Sequence, residues 1–195
     1  MKKIIFTDSI LIDYLTEDEF PYMSKQIIKI LSDKKQKNNI VLKSNQGGFQ
    51  SDDISKDDLM LTQMLANKIV LMLKNAYTFG DAKLTLHNIW INENNKGHFN
   101  VPHIHPDADF SGVLYIKTLE KSGDIAFIRN DKCPSMSSHE FIFNDPDFLS
   151  EFRLTPKDKM IILFPSYIQH MVYPNLENDS RISISFNIKI DNGKT

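Results

Sequence analysis

A chain of 195 residues, 41% apolar and 25% charged, has the size and composition of one globular domain with its own core. Its formal net charge of −2 gives no bulk attraction to nucleic acid or to an anionic membrane, and no apolar run reaches the length a bilayer requires. A single cysteine, Cys133, excludes an internal disulfide and any multi-cysteine metal centre, so a reducing cytoplasm is the expected compartment.

The N-terminus, Met1 to Phe6, imitates the start of a signal peptide, but Asp8 and Asp13 break its apolar stretch. Residues 17–37 read as an amphipathic helix, with Tyr22, Met23, Ile27, Ile30 and Leu31 near helical spacing and lysines on the other face. The segment 43–53 is a loop by its Gly, Asn and Ser content. Ser55 followed by Asp58 marks a second helix start, with an acidic residue in the first turn. That helix is predicted to run to about Tyr77, burying Leu59, Met60, Leu65, Ile69 and Leu73, and to close at Gly80-Asp81.

From Lys83 the period changes from helical to alternating. Residues 84–92 alternate as a strand does. Further short strands are expected at 98–104, 111–118, 124–129, 140–143, 159–164, 169–173 and 181–190, separated by turn signals. Many short strands at this spacing imply a sandwich, barrel or jelly roll. The expected architecture is mainly β with N-terminal helices. Residues 1–80 form a helical support region and 81–192 a cupin-like double-stranded β-helix, or jelly roll, within one domain spanning 1–195.

Chemistry concentrates in His103-Ile104-His105-Pro106-Asp107. In extended chain, side chains two apart share a face. His103 and His105 can therefore aim at one point, and so can His105 and Asp107 provided Pro106 does not turn the chain. His170, beyond the apolar run 160–164, is the candidate distant ligand. Two histidines and a carboxylate on one face, with open positions opposite, form the ligand pattern of non-haem Fe(II) oxygenases.

Arginine occurs three times in a lysine-rich chain, at 129, 153 and 181. Where it persists, its planar fork can be the reason. Arg181, Ser183, Ser185 and Asn187 share one face of the last strand, and Ile182, Ile184, Phe186 and Ile188 the other. A barrel-lining Arg181 with Ser183 nearby can hold the distal carboxylate of a dicarboxylate. The competing reading is an edge strand with a solvated polar face. Tyr115 is a second candidate for that carboxylate. Asn88 and Asn92 share a face with Trp90, so Asn92 can reach a cofactor pocket. His87 and His98 read as structural or supporting, His139 as exposed, and Cys133 as lacking the base a catalytic thiol needs.

Four blocks carry a family resemblance: Ser44 to Ser51 with its Gly47-Gly48 pair, Trp90-Ile91-Asn92, His103-x-His105-Pro106 leading into Ser111-Gly112-Val113-Leu114-Tyr115, and Leu163-Phe164-Pro165-Ser166 to His170 with Arg181 to Asn187. In this order they resemble the 2-oxoglutarate/Fe(II) oxygenase family of small proteins found in marine bacteria and phages, over most of the chain after residue 43. The resemblance implies a double-stranded β-helix that uses Fe(II), 2-oxoglutarate and O₂. In it His170 matches the distal ligand and Arg181 the arginine that binds 2-oxoglutarate. Two ligand sets stay open: His105 and Asp107 with His103 supporting, or His103 and His105 both on the metal. The expected reaction is hydroxylation of a substrate not read from the sequence, with release of succinate and CO₂. The rivals are a cupin-like metal-binding protein, as a non-oxidative enzyme or small-molecule binding module, and an inactive fold serving assembly. Beside the small-molecule co-substrate, no membrane partner is expected, nucleic acid is disfavoured, and exposed jelly-roll edges leave room for a homodimer.

Overall fold

Two amphipathic helices and eleven strands make up the computed structural model, which describes residues 8–38, 40–78, 82–129 and 149–191. In chain order they are β1 (Leu11–Tyr14), α1 (Glu19–Gln36), β2 (Asn45–Gln46), β3 (Phe49–Gln50), α2 (Leu59–Ala76), β4 (Lys83–Asn94), β5 (Phe99–His103), β6 (Phe110–Lys117), β7 (Ile125–Ile128), β8 (Glu151–Leu154), β9 (Met160–Pro165), β10 (Gln169–Val172) and β11 (Arg181–Asp191). The strands form two antiparallel sheets, in the orders β1-β9-β6-β11-β4-β3 and β2-β5-β10-β7-β8. This is the jelly roll expected from the strand spacing. Among the described residues no helix is long and apolar enough to cross a membrane.

Alternation along the strands sorts the layers. On the larger sheet Ile182, Ile184, Phe186 and Ile188 of β11, with Ile89, Ile91, Leu114, Ile161 and Leu163, pack against Met23, Ile27 and Leu31 of α1 and Leu61, Leu65 and Ile69 of α2. The helices thus cover the sheet's outer face. β11 is not an edge strand: it lies between β6 and β4. Its polar face, Arg181, Ser183, Ser185 and Asn187, therefore turns inward toward the smaller sheet and lines a cavity.

The helix starts differ in detail from the expectation. Thr16 and Glu19 cap α1 reciprocally: Glu19 N–H donates to Thr16 Oγ1 at 3.2 Å, and Thr16 N–H to Glu19 Oε2 at 2.8 Å. Asp58, not Ser55, caps α2, accepting from the Leu61 N–H at 3.0 Å. Ser55 is tied instead to Asp53.

The first 80 residues also contribute strands. β1 pairs with β9 at one margin of the larger sheet; much later in the chain, β8 pairs with β7 at a margin of the smaller one. β1 alternates over four residues only, and β8 does not alternate. Within the expected loop 43–53, β2 pairs with β5 and β3 with β4, so this segment joins the two sheets. Gly47 makes the crossing at φ +77°, with the His98 ring packed where a Cβ would stand. The expectations for residues 1–6, Cys133, His139 and the strand 140–143 lie outside the described residues.

Candidate metal and co-substrate site

His103 ends β5 and is the register partner of His170 in β10. His105 follows two residues later. The three histidines offer ring nitrogens that all lie within 4.8 Å of one another. Backbone carbonyls fix two of the rings: His103 Nδ1 lies 2.8 Å from Val101 O, and His170 Nδ1 lies 3.0 Å from Ile168 O. A carbonyl can only accept, so each Nδ1 carries the proton and each Nε2 presents a lone pair. His105 Nε2 and His170 Nε2 stand 3.3 Å apart. Converging imidazole lone pairs of this kind suit a divalent transition ion.

The rings are walled by Phe164, 4.6 Å from His170 between centroids, and by Trp90, 5.9 Å from His105. Burial holds all three imidazoles neutral. It pushes His170 down to about 3, helped by His103 and His105, and His105 down to about 4, helped by His103 and Lys43. His103 is also lowered by burial, against the pull of the Val101 carbonyl. Neutral imidazole is the ligating form.

The sign of the resulting pH dependence follows from linkage. Unfolded histidine takes up a proton near pH 6.5, whereas these two resist protonation until about pH 4 and about pH 3. The unfolded state therefore binds more protons as pH falls below 6.5, and stability is lost across that window. Metal-free protein is expected to lose thermal stability between pH 6.5 and pH 4, at a rate approaching about 1.4 kcal/mol per pH unit for each histidine so shifted. A pH series of thermal melts checks this, with a His105→Gln variant expected to flatten the curve.

Pro106 does turn the chain. The His105 N–H donates to Ser166 O, the Ala108 N–H to His105 O and the Ser166 N–H to Asp109 O, which folds residues 105–108 into a tight turn. The period-two relation between His105 and Asp107 is thereby broken. Asp107 is exposed at the cavity wall and stands outside the histidine group.

The cavity beside the histidines has a volume of about 470 Å³, within the usual range of small-molecule sites. Strand register arranges its wall in rows across β4, β11 and β6. Asn94 pairs with Arg181, then Asn92 with Ser183 and Tyr115, then Trp90 with Ser185 and Val113, then Asn88 with Asn187 and Ser111. Arg181 is 2% exposed. Its Nη1 donates to Ser122 O at 2.7 Å and to Gly123 O at 2.9 Å, and among the described residues no carboxylate pairs with it. Burial lowers its pKa, and the neighbouring Tyr115 opposes that shift. Burial likewise pushes Tyr115 up to about 12, so its phenol stays protonated. A buried guanidinium with donors to spare beside a phenol and Ser183 has the chemistry to take an anion from the cavity. Asn92 spends one donor on Ser185 Oγ, 2.9 Å away.

Among the lining residues that sequence reasoning did not place at the site are Lys43, Gln50 and His87, the last read as structural or supporting. Lys43 and Gln50 arrive on the segment that joins the sheets, and no periodicity announced them. His87 is the extra residue of a β-bulge: Asn187 pairs with Asn88 and Ile188 with Leu86, and its exposed side chain borders the cavity. His98 keeps the supporting role expected of it, accepting from the Asn95 N–H at 3.1 Å.

A jelly roll with a histidine cluster at one end of its cavity and a buried arginine at the other has the architecture of the non-haem iron oxygenases. The family model described as "Putative 2OG-Fe(II) oxygenase" matches residues 88–187, just over half of the chain. The chain belongs to this family, and it is a 2-oxoglutarate- and Fe(II)-dependent oxygenase. Solved structures agree at the level of fold. A Pseudomonas putida prolyl-4-hydroxylase is similar at 15% identity and TM-score 0.61, over 94% of this chain and 93% of that one. The viral collagen prolyl hydroxylase of Paramecium Bursaria Chlorella virus-1, solved as a 2OG complex, is similar at 11% identity and TM-score 0.57, over 91% and 95%. HygX from Streptomyces hygroscopicus, solved with nickel, 2-oxoglutarate and hygromycin B bound, is similar at 9% identity and TM-score 0.61, over 94% and 83%. No curated protein sequence matches the chain significantly.

Proposed function

We propose that this oxygenase hydroxylates its substrate from a metal held by His103, His105 and His170, with Asp107 outside the ligand set. The observation that carries this reading is the convergence of three ring nitrogens within 4.8 Å, two of them oriented by backbone carbonyls. Arg181, with Tyr115 and Ser183, would hold the far carboxylate of 2-oxoglutarate, and Asn92 would border it through the hydroxyl of Ser185. When bound, Fe(II) with 2-oxoglutarate and O₂ supplies oxidation of a C–H bond, with release of succinate and CO₂. The protein's own work is placement and shielding. Phe164 and Trp90 keep bulk water from the histidines, and neutral imidazoles keep their lone pairs available down to mildly acidic pH. The protein would act in the cytoplasm as one domain spanning residues 1–195, and a sheet edge would suit pairing into a homodimer.

Anaerobic titration of metal-free protein with Fe(II) and then 2-oxoglutarate tests the reading. A weak visible charge-transfer band that requires both additions supports it. Tight metal binding with no band on adding 2-oxoglutarate overturns it.

Gly123 gives a second check. Its φ is +97°, and a Cβ there would stand 2.1 Å from Tyr173 O and 2.8 Å from Arg181 Nη1. Gly123→Ala is expected to displace the guanidinium and to raise the Kd for 2-oxoglutarate by roughly 10-fold to 100-fold, since an error of about 1 Å in placement carries penalties of that order. The same Cβ presses on the backbone just after β10, which carries His170, so metal affinity should fall too, but by less than 2-oxoglutarate affinity. Parallel titrations of metal and 2-oxoglutarate separate the two effects.

A further inference from the structure

The row of the cavity wall farthest from Arg181 carries no charge and is not accounted for by the metal or the co-substrate. Asn88 and Asn187 are register partners on β4 and β11, three pairs along from the Asn94–Arg181 pair, and Ser111 on β6 completes the row. Strand rise puts two residues about 6.6 Å apart, so this row lies well away from the guanidinium. It adjoins the row of Trp90, whose ring neighbours His105, and Phe164, the register partner of Ser111, contacts His170. The row therefore flanks the histidine cluster on the side opposite the anion site.

Its hydrogen bonds are half made. Ser166 Oγ and Ser111 Oγ lie 2.8 Å apart, and Ser111 Oγ donates to Asn187 Oδ1 at 2.8 Å. This chain fixes the Asn187 amide with its oxygen occupied, and its Nδ2 makes no hydrogen bond among the described residues. Asn88 Oδ1 is buried and makes no hydrogen bond among the described residues. Cross-strand partners on one face have Cβ atoms about 5 Å apart, so a spare donor and a spare acceptor stand side by side. The β-bulge at His87 falls at this row, and that exposed side chain borders the cavity.

We infer that this row is the prime-substrate subsite and that it reads an amide edge, an acceptor and a donor side by side as in a lactam or a primary carboxamide. The inference rests on the oxygenase reading and sharpens it. An aliphatic group here would leave Asn88 Oδ1 and Asn187 Nδ2 unpaired, which is costly in a dry site. A carboxylate would set its charge against the Asn88 oxygen and supply no donor to it, whereas an amide satisfies both groups at once.

Trp90 is the single tryptophan and adjoins the subsite, so its fluorescence reports occupancy. The full-length protein, loaded with Zn(II) and 2-oxoglutarate, is titrated to 100 mM with four probes: 2-pyrrolidinone, N-methyl-2-pyrrolidinone, propanamide and propanoate. The expected result is a saturable emission change with 2-pyrrolidinone and propanamide. Binding should be at least tenfold weaker for the N-methyl lactam, which lacks the donor, and for propanoate. The discrimination should vanish in Asn187→Ala and in Asn88→Ala, while the Fe(II)–2-oxoglutarate band of both variants matches wild type. Equal binding of the N-methyl lactam, tighter binding of propanoate, unchanged discrimination in both variants, or no saturable change with either amide overturns the inference. Three of the four overturning outcomes are read in wild type, so the test stands even where a variant folds poorly. A missing Fe(II)–2-oxoglutarate band in wild type would instead strike the oxygenase reading, so the two failures are told apart.

Discussion

His170→Ala is expected to weaken Fe(II) binding by at least about 100-fold, whereas Asp107→Ala leaves it within about twofold. The contrast follows from the two positions. His170 is a buried strand residue whose Nδ1 is tied to Ile168 O and whose Nε2 faces that of His105. Asp107 sits exposed on the turn that Pro106 creates. Co(II) is a convenient air-stable probe, and competition against a chromogenic chelator gives both affinities. His170→Gln serves beside the alanine variant, because it fills the volume between Phe164 and His103 while supplying a poorer ligand. A large loss in Asp107→Ala would restore the histidine–carboxylate ligand set. Equal, small losses in all three variants would remove His170 from the metal site.

The stability of the site is linked to that of the fold by the same residues. His103 and His170 are opposite each other on neighbouring strands of the smaller sheet, so a bound ion would cross-link β5, β10 and the turn after β5. A ligand that binds only the folded state stabilises it in proportion to the logarithm of its concentration over Kd. The pH-dependent loss predicted for the metal-free protein should therefore diminish when the site is filled, because the lone pairs that would take up protons are engaged.

Much of this was legible in the sequence, and particular residues show why. The alternation in β11 separated Arg181, Ser183, Ser185 and Asn187 from Ile182, Ile184, Phe186 and Ile188 without knowledge of the fold. Sequence alone left open whether the polar face met solvent or a cavity. That depended on β11 lying between β6 and β4, a long-range fact of topology. The spacing of His103 and His105 pointed to a shared target, but the same period-two rule also admitted Asp107. Past His105 the alternation does not continue, because Pro106 and the hydrogen bonds of His105 and Ala108 form a turn. His87 was obscured for the converse reason. Its position in the alternation put it on the outer face, and one extra residue in β4 brings its exposed side chain to the edge of the cavity. The short strands β1, β2, β3 and β8 went unread because two to four residues carry too little periodicity, and their pairing partners are distant in sequence.

Arg181→Ala is expected to raise the Kd for 2-oxoglutarate roughly 100-fold or more, with metal affinity unchanged. Loss of a desolvated, charge-assisted pair of hydrogen bonds is worth about 3 kcal/mol, which is roughly 150-fold in Kd. The side chain has two tasks. Nη1 is committed to the carbonyls of Ser122 and Gly123, and the remaining nitrogens are left for the cavity. This division explains a second expected result, that Arg181→Lys recovers only a small part of the loss. An ammonium is a single charge centre, and from this position it cannot both satisfy the two carbonyls and reach a carboxylate in the cavity. The alanine variant also leaves the Ser122 and Gly123 carbonyls without the guanidinium, so a lower melting temperature should accompany the weaker binding. Titrating 2-oxoglutarate into the Fe(II)-loaded variants, with thermal melts alongside, separates binding from stability. If Arg181→Lys binds 2-oxoglutarate as wild type does, the planar fork is unnecessary and charge alone recruits the co-substrate. If Arg181→Ala binds it as wild type does, the anion site must be sought elsewhere in the cavity.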